Sequence, residues 1–175
     1  NYILKKSKQR KNIIFFPQFE YSHSPINAKL TKGFIGGIDR STNIGDIYKS
    51  VLESLSYDTK NAIDFMEKRT KVRVNKIISS GGSVQNIEWM KIRSNIFNKN
   101  IYIDKNYENV SFGSALLAGI GIGLFKNEDE GFKNFKNSFK IIKKNKNKIK
   151  LYKTLLKKYN ININKIIKIN QNIVL

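Results

Sequence analysis

Residue types that commonly carry protein chemistry are missing or rare in this chain. There is no cysteine, which excludes a disulfide framework and thiol chemistry. The one histidine, His23, has neither cysteine nor an acidic cluster near it, so an ordinary loop histidine is expected rather than a metal ligand. The acids are few and scattered, and no pair of them has the spacing typical of acid–base catalysis. They include Asp39, Asp58, Asp64 and Asp104.

Long hydrophobic runs are also missing. The longest weakly polar stretch, residues 110–125, contains four glycines and two serines. It is shorter than the roughly 20 apolar residues that a membrane-spanning helix needs. Nothing resembles a cleavable targeting signal. We therefore expect a cytoplasmic protein with no membrane partner.

Negative charge is scarce: 33 basic residues face 13 acids, a formal net charge of +20. Such an excess, with a lysine-rich stretch at 140–158, could indicate a module that binds nucleic acid or an anionic surface. Lysine, however, is enriched together with Asn, Ile, Tyr and Phe, as A/T-rich codons would produce. Arginine, which reads phosphate and guanine in bidentate fashion, is scarce. Nucleic acid is therefore not the favoured partner, although the basic-module hypothesis stays open.

The middle of the chain alternates between strand and helix signals. Helical periodicity with a capping residue predicts a long helix over residues 42–68. A strand at 72–80, a helix at 86–97 and a short strand at 101–103 follow, and then a helix at about 108–125. The length suits one domain, and the alternation predicts an α/β fold.

The two ends of the chain give weaker signals. Residues 13–16 form a short apolar run that suits a strand, and the glycines within 33–37 indicate a loop. Apolar residues recur at helical spacing over 132–142 and over 151–159. Residues 160–175 are of low complexity in Asn, Ile and Lys, and we expect them to fray or to be disordered.

A candidate ligand site lies at residues 79–86, Ser-Ser-Gly-Gly-Ser-Val-Gln-Asn, between a predicted strand and a predicted helix. Adjacent glycines let a backbone approach a flat or anionic ligand, and a helix N-terminus offers unpaired N–H groups. Asn86 can both donate and accept, which suits an adenine edge or a ribose. An ordinary strand-to-helix turn capped by Asn86 explains the same pattern. The candidate binding residues are Gly81, Gly82, Ser83 and Asn86.

A second glycine-rich segment, residues 118–123, has the spacing of a dinucleotide-binding fingerprint. It lies at the end of a predicted helix, not between a strand and a helix start, so the context is wrong. Close packing of small residues is the better explanation. On that reading, a large side chain at Gly113 or Gly119 should disturb helix packing.

Four segments occur in an order that points to one family. Residues 25–38 pair Ser-Pro with a later Lys-Gly and a glycine-rich patch, and 48–57 are similar to an Arg-Ala-x-x-Glu-Gly helix. Residues 81–86 are similar to a Gly-Gly-x-x-x-Asn/Ser adenosine motif, and 112–121 to a Gly-Ala-Ala-x-x-Ala-x-x-Gly helix. Together they resemble the C-terminal domain of the FGGY carbohydrate kinases, which include xylulokinase, ribulokinase, gluconokinase and glycerol kinase.

The resemblance implies a ribonuclease H-like, actin-like ATPase domain forming the C-terminal portion of a two-domain kinase. Residues 1–159 would be that partial domain, and 160–175 a tail. In the family, ATP lies mainly against this domain, and Mg²⁺ bridges its phosphates while a sugar or polyol hydroxyl attacks. The catalytic base belongs to the N-terminal domain, a required partner absent here, so no catalytic or metal-binding residue is assigned. A xylulokinase-like member is the first expectation, and a homodimer is possible.

Several positions depart from the family pattern. Its Gly-Glu-Arg-Ser-Pro loop becomes residues 21–25, its helix glycine becomes Ser54, and its Ala-Asp becomes Ser94 and Asn95. These changes remove charged positions and retain glycines and apolar ones. They leave open a catalytically idle member that binds nucleotide or a protein partner.

Overall fold

The computed structural model describes residues 2–7, 12–19, 31–104, 109–133 and 138–173. His23 and the rest of the altered loop at residues 21–25 lie outside these ranges. The elements, in chain order, are α1 (Tyr2–Lys5), β1 (Ile14–Phe16), β2 (Phe34–Gly36), α2 (Ile44–Thr70), β3 (Ile77–Ser79), a 3₁₀ turn (Gly82–Gln85), α3 (Ile87–Phe97), β4 (Ile101–Asp104), α4 (Asn109–Gly121), α5 (Glu128–Lys133), β5 (Phe139–Ile142) and α6 (Lys146–Ile173).

A three-stranded sheet, in the order β3-β4-β5, stands at the centre of the alternating region. β3 and β4 are parallel and are joined through α3, with Ile77 opposite Ile101. β5 runs antiparallel to β4 and places Ile142 opposite Ile101. The predicted α/β alternation is therefore confirmed, although β3 is shorter than the strand expected at 72–80.

The prediction of a helix over residues 132–142 is wrong for the C-terminal part of that range. Residues 139–142 form β5, because their backbone groups pair with the free edge of β4. Side-chain spacing alone cannot report a partner strand that lies far away in the sequence. The loop expected at 33–37 is corrected in the same way, because β2 pairs antiparallel with β1, with Phe16 opposite Phe34.

The long helix α2 begins where its sequence predicts. Asn43 caps it by accepting hydrogen bonds from the backbone N–H groups of Gly45 and Asp46 at 2.8 and 3.2 Å. Asp46 completes the capping box by accepting from the Asn43 backbone N–H at 3.1 Å. The helix packs against α1, β1, α3 and α6, so it is a central element of the domain.

The C-terminal helix α6 corrects the expectation of a frayed tail. It continues without a break across residue 159 to Ile173, and Ile163 and Ile166 are buried. Asn170 is also buried, and its side-chain amide donates to the Lys32 carbonyl at 2.8 Å. The isoleucines of the low-complexity segment fall at helical spacing, so they extend one apolar face onto the core. Residue 159 is therefore not a structural boundary.

The apolar helix α4 lies against α5 and presents much of its surface outward. Val110 and Leu117 are strongly exposed, as is Ile122 just after the helix. Close packing is confirmed at Gly119, where an added Cβ would meet the Phe125 ring at 2.8 Å. The prediction of close packing is wrong at Gly113, where an added Cβ would have no heavy atom within 4 Å among the described residues. None of the described helices combines the length and hydrophobicity that crossing a bilayer requires.

Candidate functional site

The candidate site is a turn that connects the end of β3 to the start of α3. Gly81 has φ of 82°, a backbone conformation that glycine adopts without strain and other residues rarely do. The Val84 backbone N–H donates to the Gly81 carbonyl at 3.2 Å, and the Val84 side chain is buried in the core. Val84 therefore anchors the turn to the core, while the two glycines lie nearer the surface.

The surface of the turn at the two glycines is not covered by other described residues. A Cβ built on Gly81 or Gly82 would have no heavy atom within 4 Å among the described residues, and Gly82 and Ser83 are exposed. A ligand can therefore reach the backbone here without displacing side chains. The structure brings the four predicted residues, including Asn86, into one continuous turn.

Asn86 acts as the cap of α3. Its Oδ1 accepts from the Trp89 backbone N–H at 3.1 Å, and its Nδ2 donates to the Tyr48 hydroxyl at 3.2 Å. The capping alternative from the sequence is thus confirmed. An amide has two N–H donors and two acceptor lone pairs, so one of each remains for a ligand. Capping and ligand contact are compatible roles for this side chain.

Sequence reasoning missed Tyr48 as a member of this site. It lies on α2 and reaches Asn86 across 38 positions of sequence. Its helical spacing placed it on the apolar face of α2, but no local signal linked it to the turn. Only the packing of α2 against α3 brings the phenol to the amide.

Trp89 fixes the helix that carries the site. Its indole Nε1 donates to the Leu52 carbonyl at 3.1 Å and to the Ser56 hydroxyl at 3.0 Å, both on α2. The Arg93 guanidinium lies 5.4 Å from the Trp89 ring and 5.4 Å from the Phe97 ring, and burial lowers the pKa of Arg93. The two indole hydrogen bonds hold α3 against α2, while the Arg93 contacts lie within α3, so the turn is preorganised by the packing of α3 on α2.

Positions that depart from the family pattern have structural roles. Asn95, which replaces the usual acid, is buried, and its Oδ1 accepts from the Asn145 backbone N–H at 2.7 Å just before α6. Ser94 is also buried and donates to the Lys91 carbonyl at 2.9 Å. An amide oxygen accepts this hydrogen bond as a carboxylate would, so the loss of charge does not break the connection.

Two of the scattered acids, Asp58 and Asp64, make their contacts outside the turn. Asp58 accepts from the Tyr159 hydroxyl at 2.9 Å and from Gln18 Nε2 at 3.1 Å. Burial raises the pKa of Asp58, and these two hydrogen bonds lower it in part. Asp64 pairs with Lys60 one turn earlier on α2. Within the described part of the chain, no group of three acidic, histidine or cysteine side chains is placed to hold a metal ion.

The fold and this turn define the class of the protein. The domain is an α/β unit that superposes on the C-terminal part of kinases with the actin-like ATPase fold. Residues 3–122 match the model of the FGGY family of carbohydrate kinases, C-terminal domain. The chain belongs to this family.

Glycerol kinases are among the curated relatives of similar sequence. The chain is 30% identical over 125 residues to the glycerol kinase of Ligilactobacillus salivarius, covering 71% of this chain and 25% of that protein. It is 30% identical over 118 residues to that of Saccharolobus islandicus strain M.16.27, covering 67% of this chain and 24% of that protein. The chain thus spans about a quarter of the length of these relatives.

Solved structures support the fold. The ligand-bound xylulose kinase of Lactobacillus acidophilus superposes with a TM-score of 0.77 at 21% identity, covering 94% of this chain and 34% of that one. Plasmodium falciparum glycerol kinase with ADP gives a TM-score of 0.72 at 22% identity, covering 90% of this chain and 32% of that one. Glycerol and xylulose kinases thus both resemble the chain, and the subfamily stays unresolved.

Proposed function

We propose that this chain is the nucleotide-binding part of an ATP-dependent sugar or polyol kinase, with the adenosine of ATP held at the turn from β3 to α3. Gly81 and Gly82 would lie against the nucleotide through their backbone, beside Ser83. Asn86 would use its remaining amide N–H or lone pair. The open glycine turn with its Asn86 cap, inside the segment that matches the family, is the observation that carries this proposal.

In the proposed reaction, a substrate hydroxyl attacks the γ-phosphate of ATP and ADP leaves. This domain would contribute by positioning the nucleotide, which supplies much of the catalysis in phosphoryl transfer. The base that takes the hydroxyl proton would come from the N-terminal domain of the kinase. Mg²⁺ supplies charge neutralisation in such reactions, but the described residues offer it no carboxylate cluster, so no metal ligand is assigned to them.

A small polyol or sugar is the proposed substrate, with glycerol the first to test. Curated relatives at 30% identity include glycerol kinases, while the superposing structures include xylulose and gluconate kinases. A cytoplasmic location follows from this proposal, because ATP and such substrates are found there.

The test is a coupled assay of ADP release by the full-length protein, with Mg-ATP and glycerol, xylulose or gluconate. Turnover with one of these and not the others would establish the kinase and its substrate class together. Turnover with none, from a folded protein that still binds ADP, would overturn the kinase proposal and favour the catalytically idle alternative. Failure to bind ADP at all would overturn the nucleotide site as well.

A further inference from the structure

A pocket separate from the candidate turn lies between α2, the C-terminal end of α3 and α6, and has a volume of about 410 Å³. Its wall is strongly basic, since one lysine of α2, two of α6 and Lys99, which follows the cap of α3, line it. Asparagine amides and one carboxylate, that of Asp64, complete the wall. The basic pocket is defined by Lys60, Lys99, Lys153, Lys157, Asn98 and Asn160. The volume falls within the range of sites for small molecules, roughly 300–1,000 Å³.

Two of the lysines are not neutralised. Lys60 is paired with Asp64, and Lys99 Nζ lies 3.8 Å from Glu67. Lys153 and Lys157 make no ion pair within the described part of the chain. They are one turn apart on the same face of α6, where like charges repel. An anion between them would remove this unfavourable interaction.

The helix dipole of α3 does not explain these two charges. The C-terminal end of α3, with Asn98 as its cap, carries partial negative charge that attracts a cation. Lys144 already occupies that position, because its Nζ donates to the Asn98 carbonyl and to Asn98 Oδ1, both at 2.9 Å. Lys153 and Lys157 are therefore additional positive charges at this pocket.

The walls of the basic pocket are held in place by direct contacts. Asn61 and Asn160 exchange two side-chain hydrogen bonds, at 2.8 and 3.1 Å, which tie α2 to α6 beside the lysines. The side chain of Lys60 is only 18% exposed, so its ammonium group is fixed at the wall. Fixed walls lower the entropy lost when an anion binds, and the loss that remains comes from ordering the exposed side chains of Lys153 and Lys157.

We propose that the basic pocket binds a small anion with more than one phosphate group, of the size and charge of pyrophosphate. Lys153 and Lys157 would donate charge-assisted hydrogen bonds to it, with Lys60, Lys99 and the Asn160 amide completing the site. None of these residues belongs to the turn from Gly81 to Asn86. The proposal therefore does not depend on the nucleotide site.

The test is calorimetric titration of the full-length protein with sodium pyrophosphate at fixed ionic strength. We expect saturable one-site binding that weakens about tenfold or more in a Lys153→Gln, Lys157→Gln double variant. The matched control is Lys150→Gln, Lys165→Gln, which removes two exposed lysines of the same helix and the same net charge. It should change the affinity by less than about twofold. All four positions are exposed, so neither variant should unfold the protein.

Three results would overturn the proposal. No saturable binding to the folded wild type would show that the pocket holds no such anion. Equal losses in the two double variants would assign the binding to overall positive charge. Loss of binding in an Asn86→Ala variant would place pyrophosphate in the turn between β3 and α3. Each result is separate from the kinase assay, so the two proposals can fail independently.

Discussion

At the scale of single residues, Asn86 connects the local structure to the proposed chemistry. Its carbonyl oxygen starts α3, its amide nitrogen reaches Tyr48 on α2, and it directly follows the exposed glycine turn. A residue that both caps a helix and faces an open backbone can bind a ligand without any rearrangement. This is why the cap and the site are not competing explanations.

We predict that Asn86→Ala weakens ADP binding about tenfold, because the amide contact is lost. It should also cost about 1 kcal/mol of stability through loss of the cap. Calorimetry with ADP and urea unfolding measure the two effects.

Asn86→Asp separates the two effects of the Asn86 substitution. A carboxylate caps a helix as well as an amide does but cannot donate a hydrogen bond. We expect Asn86→Asp to keep its stability and lose ADP affinity. An unchanged affinity in both folded variants would remove the site assignment.

Asp58 predicts a pH dependence of stability. Burial raises its pKa, so the folded protein holds this proton to higher pH than the unfolded chain does. The stability that Asp58 contributes is therefore fully present below the ordinary aspartate pKa of about 4, and is lost as pH rises through the raised value. Its partner Tyr159 stays protonated, since burial and the nearby Asp58 raise the pKa of that phenol.

We predict that Asp58→Asn gains stability relative to the wild type as pH rises from about 4 to 7. The asparagine cannot ionise, and it can still accept the hydrogen bond from Tyr159. Urea unfolding of both proteins at several pH values measures the difference, in which the other carboxylates cancel. A difference that does not vary with pH would show that Asp58 titrates alike in the folded and unfolded states.

Among the helices and strands, α6 is the one that orders the C-terminal segment past residue 159. The helix carries lysines outward and a row of apolar residues inward, and this row extends past residue 159. The row includes Tyr152, Tyr159, Ile163 and Ile166. Burial of these side chains stabilises a segment whose composition alone suggests disorder.

Replacing Ile163 by Ala should cost about 2–4 kcal/mol, because its side chain is only 3% exposed and its removal leaves a cavity. The control is Ile161→Ala in the same helix. Ile161 is 59% exposed, so its change should stay within about 0.5 kcal/mol. Chemical denaturation gives both values. Equal, small effects would mean that the end of α6 does not pack on the core in solution.

At the scale of the whole molecule, the chain spans about a quarter of its curated relatives. The apolar surface of α4 is largely uncovered in the described structure, since the helix contacts α5 and leaves Leu117 at 65% exposure. On the proposal that the chain is the C-terminal part of a two-domain kinase, we expect the N-terminal domain to pack there.

Leu117→Asp should therefore destabilise the full-length protein by about 2 kcal/mol or more, because a carboxylate would be buried at the interface. Ile161→Asp is the matched control, since Ile161 has similar exposure but lies on the lysine-rich α6. It should be nearly neutral. Thermal unfolding of the full-length variants measures both. Two equally neutral substitutions would show that α4 faces solvent.

Features that depend on neighbouring residues could be predicted from the amino-acid sequence. The capping residues and helical spacing predicted α2, and the alternation of elements predicted the α/β fold. The ordered motifs indicated the FGGY family, and glycines next to an asparagine marked the candidate turn. Each of these signals arises from backbone freedom, capping or side-chain period within a few residues.

Features that depend on distant partners follow from the packing of the folded chain. Residues 139–142 form a strand because they pair with the edge of β4. Residues 160–173 form a helix because isoleucines of this segment are buried in the core. Tyr48 joined the site, and the basic pocket formed, because α2, α3 and α6 pack together. Strand pairing, burial and convergence of charges are long-range contacts, and local sequence does not specify them.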